Sequence, residues 1–339
     1  MTQRTVTSGA ASRRAVLRSG AALAGVGLTG VGSVAAAPAD GVTVLTQNLY
    51  LGSALAPALE AETEAEFEAA VADAYRNVLE SRFDRRARAL AGEIAEVEPD
   101  VIGLQEAARF AERGSGATTR DYLRTLVEEL EAAGLSYAEA ASVKTFDAEF
   151  SLAGDAASDA VRFVNRDAIL ARDGVATSDA DAGTYYAGGL EFGIGRGYCS
   201  VTVADAYTFV DTHLSTARTP FLQVAQAAEL VSRFRGAPTV LVGDFNSGPD
   251  AATERTYEIL TERYTDAYAA ANPERDGPTC CRDPTLTEDT ALDRRIDHVF
   301  ASDDVRTRGA ERIATDRAER AGGRWPSDHA GVAAELTLP

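Results

Sequence analysis

"TVLVGDFNSG", residues 239–248, contains a contradiction. Thr239, Val240, Leu241 and Val242 read as a β-strand buried on both faces, yet the chain then presents Asp244 and Asn246 around Gly243. A carboxylate at the end of a buried strand costs on the order of several kcal/mol in desolvation unless a cation or hydrogen bonds compensate. The same interruption recurs elsewhere. Asn48 ends the apolar run "GVTVLTQN" (41–48), Glu106 ends "VIGLQEA" (101–107), and Asp297 lies in "RIDHVF" (295–300). Strand ends of this kind that converge on one pocket can share a divalent cation. Asp244 and Asn246 are therefore expected beside a metal and a phosphate.

The histidines point the same way. The chain has three, His213, His298 and His329, each with an aspartate one or two positions before it, in "VDTHLS", "RIDHVF" and "SDHAGV". One Asp–His neighbour in so acidic a chain carries no information, but three of three, each at a strand end or short turn, do. Taken in order, "TQNLY", "GLQEA", "DTHLS", "GDFNS", "RIDHVF" and "SDHAGV" resemble the motifs of the endonuclease/exonuclease/phosphatase superfamily, the group of deoxyribonuclease I, over residues 42 to 337. Each motif is weak alone; six in the family's order are specific.

The resemblance implies a divalent-metal-dependent phosphoester hydrolase, with Mg2+ as cofactor or Mn2+ in its place. Glu106 resembles the principal metal ligand, supported by Asn48, with Asp328 completing the shell. Asp244 resembles the acid that positions or deprotonates the attacking water, and Asn246 the group that binds the scissile phosphate. His213 and His329 resemble the pair that grips the phosphoryl oxygens and handles protons, and Asp297 the carboxylate that orients His329. His298 fills a slot the family usually gives to an aromatic or aliphatic residue, so it is assigned a structural role. Tyr50 stands where some members carry an aspartate, so a second metal subsite is not expected. Asp211 and Asp167 replace residues that are neutral in many members, and Asp211 either raises the basicity of His213 or simply suits an acidic protein. Arg166, Arg172 and Arg196 are candidates for holding substrate phosphate or for plain surface roles. The implied partner is a phosphodiester: a lipid headgroup, a small organic diester or a nucleic acid. A non-catalytic domain that binds phosphate or a protein partner on the same fold is the alternative of another class.

Charge and the N-terminus narrow the setting. "SRRAVLRSG" and the small-residue end "SVAAAPAD" read as a twin-arginine export signal over residues 1–39, followed by one catalytic domain over 41–339. This predicts export through the twin-arginine machinery to an extracellular or cell-surface location. Removing the signal leaves 29 basic against 52 acidic residues, hence −23; Lys144 is the only lysine. Such a chain has no global basic field to draw in nucleic acid and is suited to high salt, where screening shortens repulsion. No stable protein partner and no membrane span after residue 40 are expected. The three cysteines, Cys199, Cys280 and Cys281, fit no metal-ligand spacing; a disulfide from Cys199 to one of the pair and plain buried cysteine are both open.

Periodicity supplies the architecture. Amphipathic helices are predicted over 58–80, from Asp84, around Leu123–Leu130, over 221–235 (burying Val224, Ala228, Val231 and Phe234) and over 251–263. Strands are predicted at 41–48, 101–107, 136–143, 162–172, 197–203, 207–215, 239–244, 295–302 and 327–338. The glycine-rich "AGGLEFGIGRG" (187–197) precedes a strand and is read as a hairpin connection rather than a phosphate loop. Helices clustered between groups of strands suggest an α/β fold, two packed sheets with helices outside in a four-layer sandwich. The resemblance to the deoxyribonuclease I group implies the same fold, with mostly antiparallel mixed β-sheets flanked by helices.

Overall fold

The computed structural model describes residues 41–114, 117–152, 160–187, 195–236, 238–316, 320 and 322–338. The predicted export signal and residues 188–194 of the glycine-rich stretch lie outside the described residues. The first half runs β1 (Val42–Asn48), α1 (Ala56–Leu59), α2 (Glu64–Glu80), α3 (Phe83–Val97), β2 (Val101–Gln105), β3 (Arg109–Arg113), β4 (Thr119–Asp121), α4 (Tyr122–Ala132), β5 (Tyr137–Ser151) and β6 (Ala160–Arg172). Then follow β7 (Thr177–Thr184), β8 (Gly197–Val203), β9 (Tyr207–His213), α5 (Pro220–Arg233), β10 (Thr239–Asp244), α6 (Glu254–Thr261), β11 (Thr265–Asp266), α7 (Ala267–Ala271), β12 (Asp297–Ala301), β13 (Arg306–Ile313) and β14 (Gly331–Thr337).

The strands form two sheets. One has the order β13-β14-β1-β2-β6-β3-β4, with β5 also paired to β6; the other is β11-β12-β10-β9-β8-β7. Only β1–β2 and β9–β10 are parallel. Alternation along each strand sorts side chains into layers. Val44, Val101, Ile169 and Val332 of the first sheet meet Val201, Phe209, Val242 and Val299 of the second. On the far side of the first sheet, Leu45, Ile102 and Leu104 pack under Leu90 and Ile94 of α3 and Leu126 of α4. On the far side of the second, Val210, Leu241 and Phe300 pack under Leu230 of α5 and Leu260 of α6. This is the four-layer α/β sandwich expected from the pattern. Among the described residues, no helix is long and apolar enough to cross a membrane.

The predicted helix over 58–80 is broken. Thr63 takes an extended conformation (φ −126°) and caps a new helix reciprocally with Glu66, so α2 starts at Glu64. The fully buried residues of α5 are Gln223, Gln226, Ala227 and Leu230. Of the predicted Val224, Ala228, Val231 and Phe234, Val231 and Phe234 pack half-buried on the same core, Val224 is half-buried and Ala228 is exposed. The two glutamines turn inward because they have partners there. Gln223 Nε2 donates to Ser215 O (2.6 Å) and Asn246 O (3.0 Å), and Gln226 Oε1 accepts from Ser215 N (2.9 Å). Strands β3, β4, β7, β11 and β13 were not predicted. β7 ("TSDADAGT") and β13 are edge strands of their sheets, held by backbone pairing without an apolar face to announce them.

Close approach of the sheets depends on Gly103 in β2. A Cβ there would lie 2.4 Å from Val242 Cγ2 and 2.5 Å from Asp211 Oδ1. The parallel pairs β1–β2 and β9–β10 therefore end at one rim, where both inner faces run out of apolar residues.

Candidate active site

Register determines what meets at this rim. Asp244, the last residue of β10, lies opposite His213 of β9 on one side and Asp297 of β12 on the other. Asn48, the last residue of β1, reaches across from the first sheet; its Nδ2 is 3.1 Å from Asp244 Oδ2 and 3.4 Å from Glu106 Oε1. Glu106 Oε2 accepts from Leu51 N (2.7 Å), and Asn48 Oδ1 accepts from Tyr50 N (2.9 Å). Asn246 donates its backbone N–H to Asp244 Oδ1 (2.9 Å); its Nδ2 donates to Leu214 O (3.1 Å) and lies 3.2 Å from His213 Nε2. His329 Nδ1 sits 2.8 and 3.0 Å from the two Asp297 oxygens, and its Nε2 is 3.9 Å from both Asp244 Oδ2 and Asp328 Oδ1. The structure thus gathers Asn48, Glu106, His213, Asp244, Asn246, Asp297, Asp328 and His329 in one cluster. Three of the turns that leave these strands carry a non-glycine residue in the left-handed region: Tyr50 (φ 58°), Glu106 (φ 56°) and Asn246 (φ 50°). Each such residue costs about 1–3 kcal/mol, held in place by the bonds around it.

Of the Asp–His neighbours in the sequence, Asp328 and His329 form an ion pair, but Asp297 does not pair with His298, nor Asp211 with His213. Adjacent residues on a strand face opposite ways, so Asp297 points into the cluster and bonds His329, while His298 points outward. There His298 Nδ1 meets Asp266 Oδ2 (3.1 Å) and Nε2 meets Ser247 O (2.9 Å), among Phe245, Tyr257 and Phe300, in a structural role. Asp211 is not the partner of His213. Its Oδ1 accepts from Gln105 Nε2 (2.6 Å) in a buried layer below the site. The carboxylate behind His213 is Asp167, whose Oδ1 is 4.0 Å from Nδ1. His213 Nε2 faces both the Asn246 amide (3.2 Å) and Asp244 Oδ2 (3.4 Å), on the side open to the cluster.

Electrostatics divide the two imidazoles. Burial, then Arg196 and His329, push the His213 pKa well below its ordinary value and keep it neutral. Burial acts the same way on His329, but Asp297, Asp328 and Asp244 overcome it and hold the ring cationic well above the usual range. Burial and Asp297 raise Asp244 to about 7, against His329 and the Asn246 N–H. Burial raises Asp328 to about 6 and Asp167 to about 7, and lifts Asp211 well above the carboxylate range.

The donor set fits a hard divalent cation. The ligands on offer are the oxygens of Glu106 and Asp328, with Asp328 Oδ1 buried and lacking any hydrogen-bond partner. Asn48, which here turns Nδ2 to Glu106 and Oδ1 to Tyr50 N, would join them with its amide turned over. Among the described residues, Asp244, Asp297 and His329 also offer ligand atoms within 4.8 Å of one another, as do Cys280, Cys281 and His329. Both Asp297 oxygens there already bond the imidazole, so the orphaned Asp328 oxygen favours the Glu106 side for the ion. A cation held there would favour the ionised form of the carboxylates that burial pushes toward neutrality.

Several supporting residues carried no functional signal in the sequence. Arg86 of α3 is fully buried beneath the site. Its Nη1 donates to Leu49 O (2.8 Å) and Pro326 O (2.9 Å), and its Nη2 to Tyr50 O (3.0 Å), tying together the loops that carry Asn48 and Asp328. Its sole trace was an arginine on an apolar stripe, between Phe83 and Leu90. Thr279 Oγ1 accepts from Asp297 N (3.1 Å), and Ser327 Oγ donates to Asn48 O (2.7 Å). Of the three arginine candidates, Arg166 bonds Asp121, and Arg172 bonds Asp100 at the other rim. Arg196 alone acts on the site, through its charge on His213 and Asp167. Tyr50 packs with Leu286 and Trp325 and donates to Pro284 O (2.8 Å). Cys280 pairs with Cys281, and Cys199 is a buried free thiol, so the disulfide considered between Cys199 and that pair does not form.

Comparison with known proteins agrees with this fold. The profile of the Endonuclease/Exonuclease/phosphatase family matches residues 46–329. An endonuclease/exonuclease/phosphatase from Beutenbergia cavernae is 22% identical and superposes with TM-score 0.56 over 88% of this chain and 72% of its own. A family protein from Leptotrichia buccalis is 17% identical, with TM-score 0.57 over 87% and 99%. The human Nocturnin catalytic domain, solved with a bound sulfate anion, is 15% identical, with TM-score 0.55 over 88% and 94%. Among curated proteins none matches this sequence. With a rim that joins both sheets through Asn48 and Asp244, and a family match that runs from the first motif to the last, the chain belongs to the endonuclease/exonuclease/phosphatase family, whose members are typically metal-dependent phosphoester hydrolases.

Proposed function

We propose that the protein is an exported, divalent-metal-dependent phosphodiesterase that works by in-line attack of water. The observation that carries the reading is the pair of unlike imidazoles flanking Asp244: neutral His213 beside Asn246, and cationic His329 backed by Asp297. Phosphodiesters resist attack because their charge repels nucleophiles; the remedy is positive charge on the oxygens and a base for the water. Asp244 is placed to orient the water and accept its proton. Asn246 and His213 are placed to hold non-bridging oxygens, and His329 donates a hydrogen bond as negative charge develops. Mg2+ or Mn2+ on Glu106, Asn48 and Asp328 would supply charge neutralisation at the phosphate. The twin-arginine motif supports export, and the acidic, lysine-poor composition supports a saline setting.

The test is hydrolysis of bis(p-nitrophenyl) phosphate with Mg2+, in buffers from low to molar salt. Glu106→Gln and His329→Ala should each lower kcat/KM by at least about 100-fold. Full activity in both variants would overturn the assignment. Activity that falls steadily as salt rises would remove the saline setting.

A further inference from the structure

A second compartment lies beside the phosphoryl site, on the outer face of the first sheet, where α1 and α2 cross β3, β5 and β6. It is a cavity of about 200 Å³. Leu51 forms part of its wall, and the Leu51 N–H is the donor to Glu106 Oε2 at 2.7 Å, so cavity and cluster share a residue. Phe146 and Phe150 of β5 and Phe163 of β6 face Val71 and Ala74 of α2 across it. No charged side chain lines it. Its two polar side chains are already engaged: Tyr75 Oη donates to Glu112 Oε1 (2.7 Å), and Ser53 Oγ accepts from Asn77 Nδ2 (3.4 Å). Phe67 at its edge is 38% exposed, and Phe146 and Phe150 are only half-buried, so the apolar interior opens to water.

An apolar chamber that stays open to solvent carries a standing cost, which a hydrophobic ligand relieves. The chemistry of the lining selects among ligands. A nucleobase would bring ring nitrogens and exocyclic groups into a chamber with no free side-chain donor or acceptor for them, and each would lose its bonds to water. A flexible aliphatic chain loses nothing. The net charge of the chain, −19, also works against a polyanionic substrate.

We infer that this cavity binds the hydrocarbon chain of an amphiphilic phosphodiester whose phosphate occupies the His213–His329 cluster. The inference rests on the hydrolase reading above and narrows its substrate class. At about 30 Å³ per water-sized group, the chamber accommodates roughly six methylenes.

A series of alkyl p-nitrophenyl phosphodiesters, from methyl to decyl and held below micelle-forming concentration, tests it. Each added methylene should raise kcat/KM about fourfold, the equivalent of about 0.8 kcal/mol, up to roughly six carbons, followed by a plateau. Val71→Phe, which fills the chamber, should flatten the series while leaving the methyl ester unchanged. Ala74→Met is the substitute if the first variant does not fold. A flat series in the native protein, with the methyl ester hydrolysed, would overturn the cavity assignment and leave the hydrolase reading intact. So would a rising series untouched by a folded Val71→Phe or Ala74→Met. Preference for thymidine 5′-p-nitrophenyl phosphate over the octyl ester would assign the site to a nucleoside instead. Failure to cleave any ester would remove the hydrolase reading first, and the cavity assignment with it.

Discussion

His298 shows how one side chain can be excluded from catalysis and still matter. It stacks against Phe300 and shares the Asp266 carboxylate with Arg295, whose Nη2 is 3.1 Å from Asp266 Oδ2. Burial alone would raise the Asp266 pKa. The His298 hydrogen bond, the His298 and Arg295 charges and the Ala269 N–H outweigh it and hold the carboxyl below the usual range. A carboxylate whose folded pKa is depressed contributes stability that is present above its unfolded pKa, about 3.9, and fades as pH falls through the folded value. Asp266→Asn should therefore cost about 3–5 kcal/mol at neutral pH. In urea titrations, the gap between variant and native protein should stay constant above about pH 5 and narrow below about pH 4. A gap that did not change with pH would mean that the carboxylate charge contributes nothing.

At the scale of the element, the two glycines Gly103 and Gly92 make opposite demands. Gly103 lies in β2 where the sheets touch, with Val242 and Asp211 in the space a methyl would need. Gly92 sits on the exposed face of α3 with nothing within 4 Å. Gly103→Ala should destabilise by about 1–3 kcal/mol and lower kcat, because the strand that carries Glu106 must shift away from Asp244. Gly92→Ala should stabilise by roughly 0.5–1 kcal/mol and leave kcat alone. Denaturation midpoints and initial rates on the two variants would check both; a neutral Gly103→Ala would show that the sheets are not in tight contact there. Elements also set what the sequence could reveal. Strands with a buried face, such as β1, β2, β10 and β12, declare themselves by apolar runs, and their polar terminal residues then stand out. Edge strands β7 and β13 bury little and looked like loops. The α5 face was read only in part, Val231 and Phe234 packing on the core as expected, because a hydrophobicity pattern cannot anticipate glutamines that bury to bond a loop. Asp167 stood out in the sequence without a role and Arg86 did not stand out at all, for a related reason: their roles depend on partners 40 or more residues away, His213 for one and Pro326 for the other. Asp211 was misread because nearness along the chain does not decide which carboxylate faces an imidazole.

For the whole molecule, the proposed export rests on the N-terminal motif and the acidic composition. Export by the twin-arginine route requires the paired arginines themselves, so replacing Arg13 and Arg14 by lysine should leave the protein inside the cell with its charge unchanged. Fractionation of cells and medium gives the answer, and undiminished secretion of the Lys-Lys variant would exclude that route. The prediction is separate from catalysis, since the cluster is built entirely from residues between Asn48 and His329.

The hydrogen bond from Asn48 to Asp244 has a further meaning. Half of the reactive groups ride on each sheet, and a few side-chain bonds, Asn48 to Asp244, Gln105 to Asp211 and His329 to Asp297, span the seam between them. Neither half of the chain carries a working centre by itself, so a fragment, a split form or a permuted chain regains function only if the two layers dock in their native register. Catalytic competence in this architecture is a property of the interface between layers, and it records whether that interface is seated correctly.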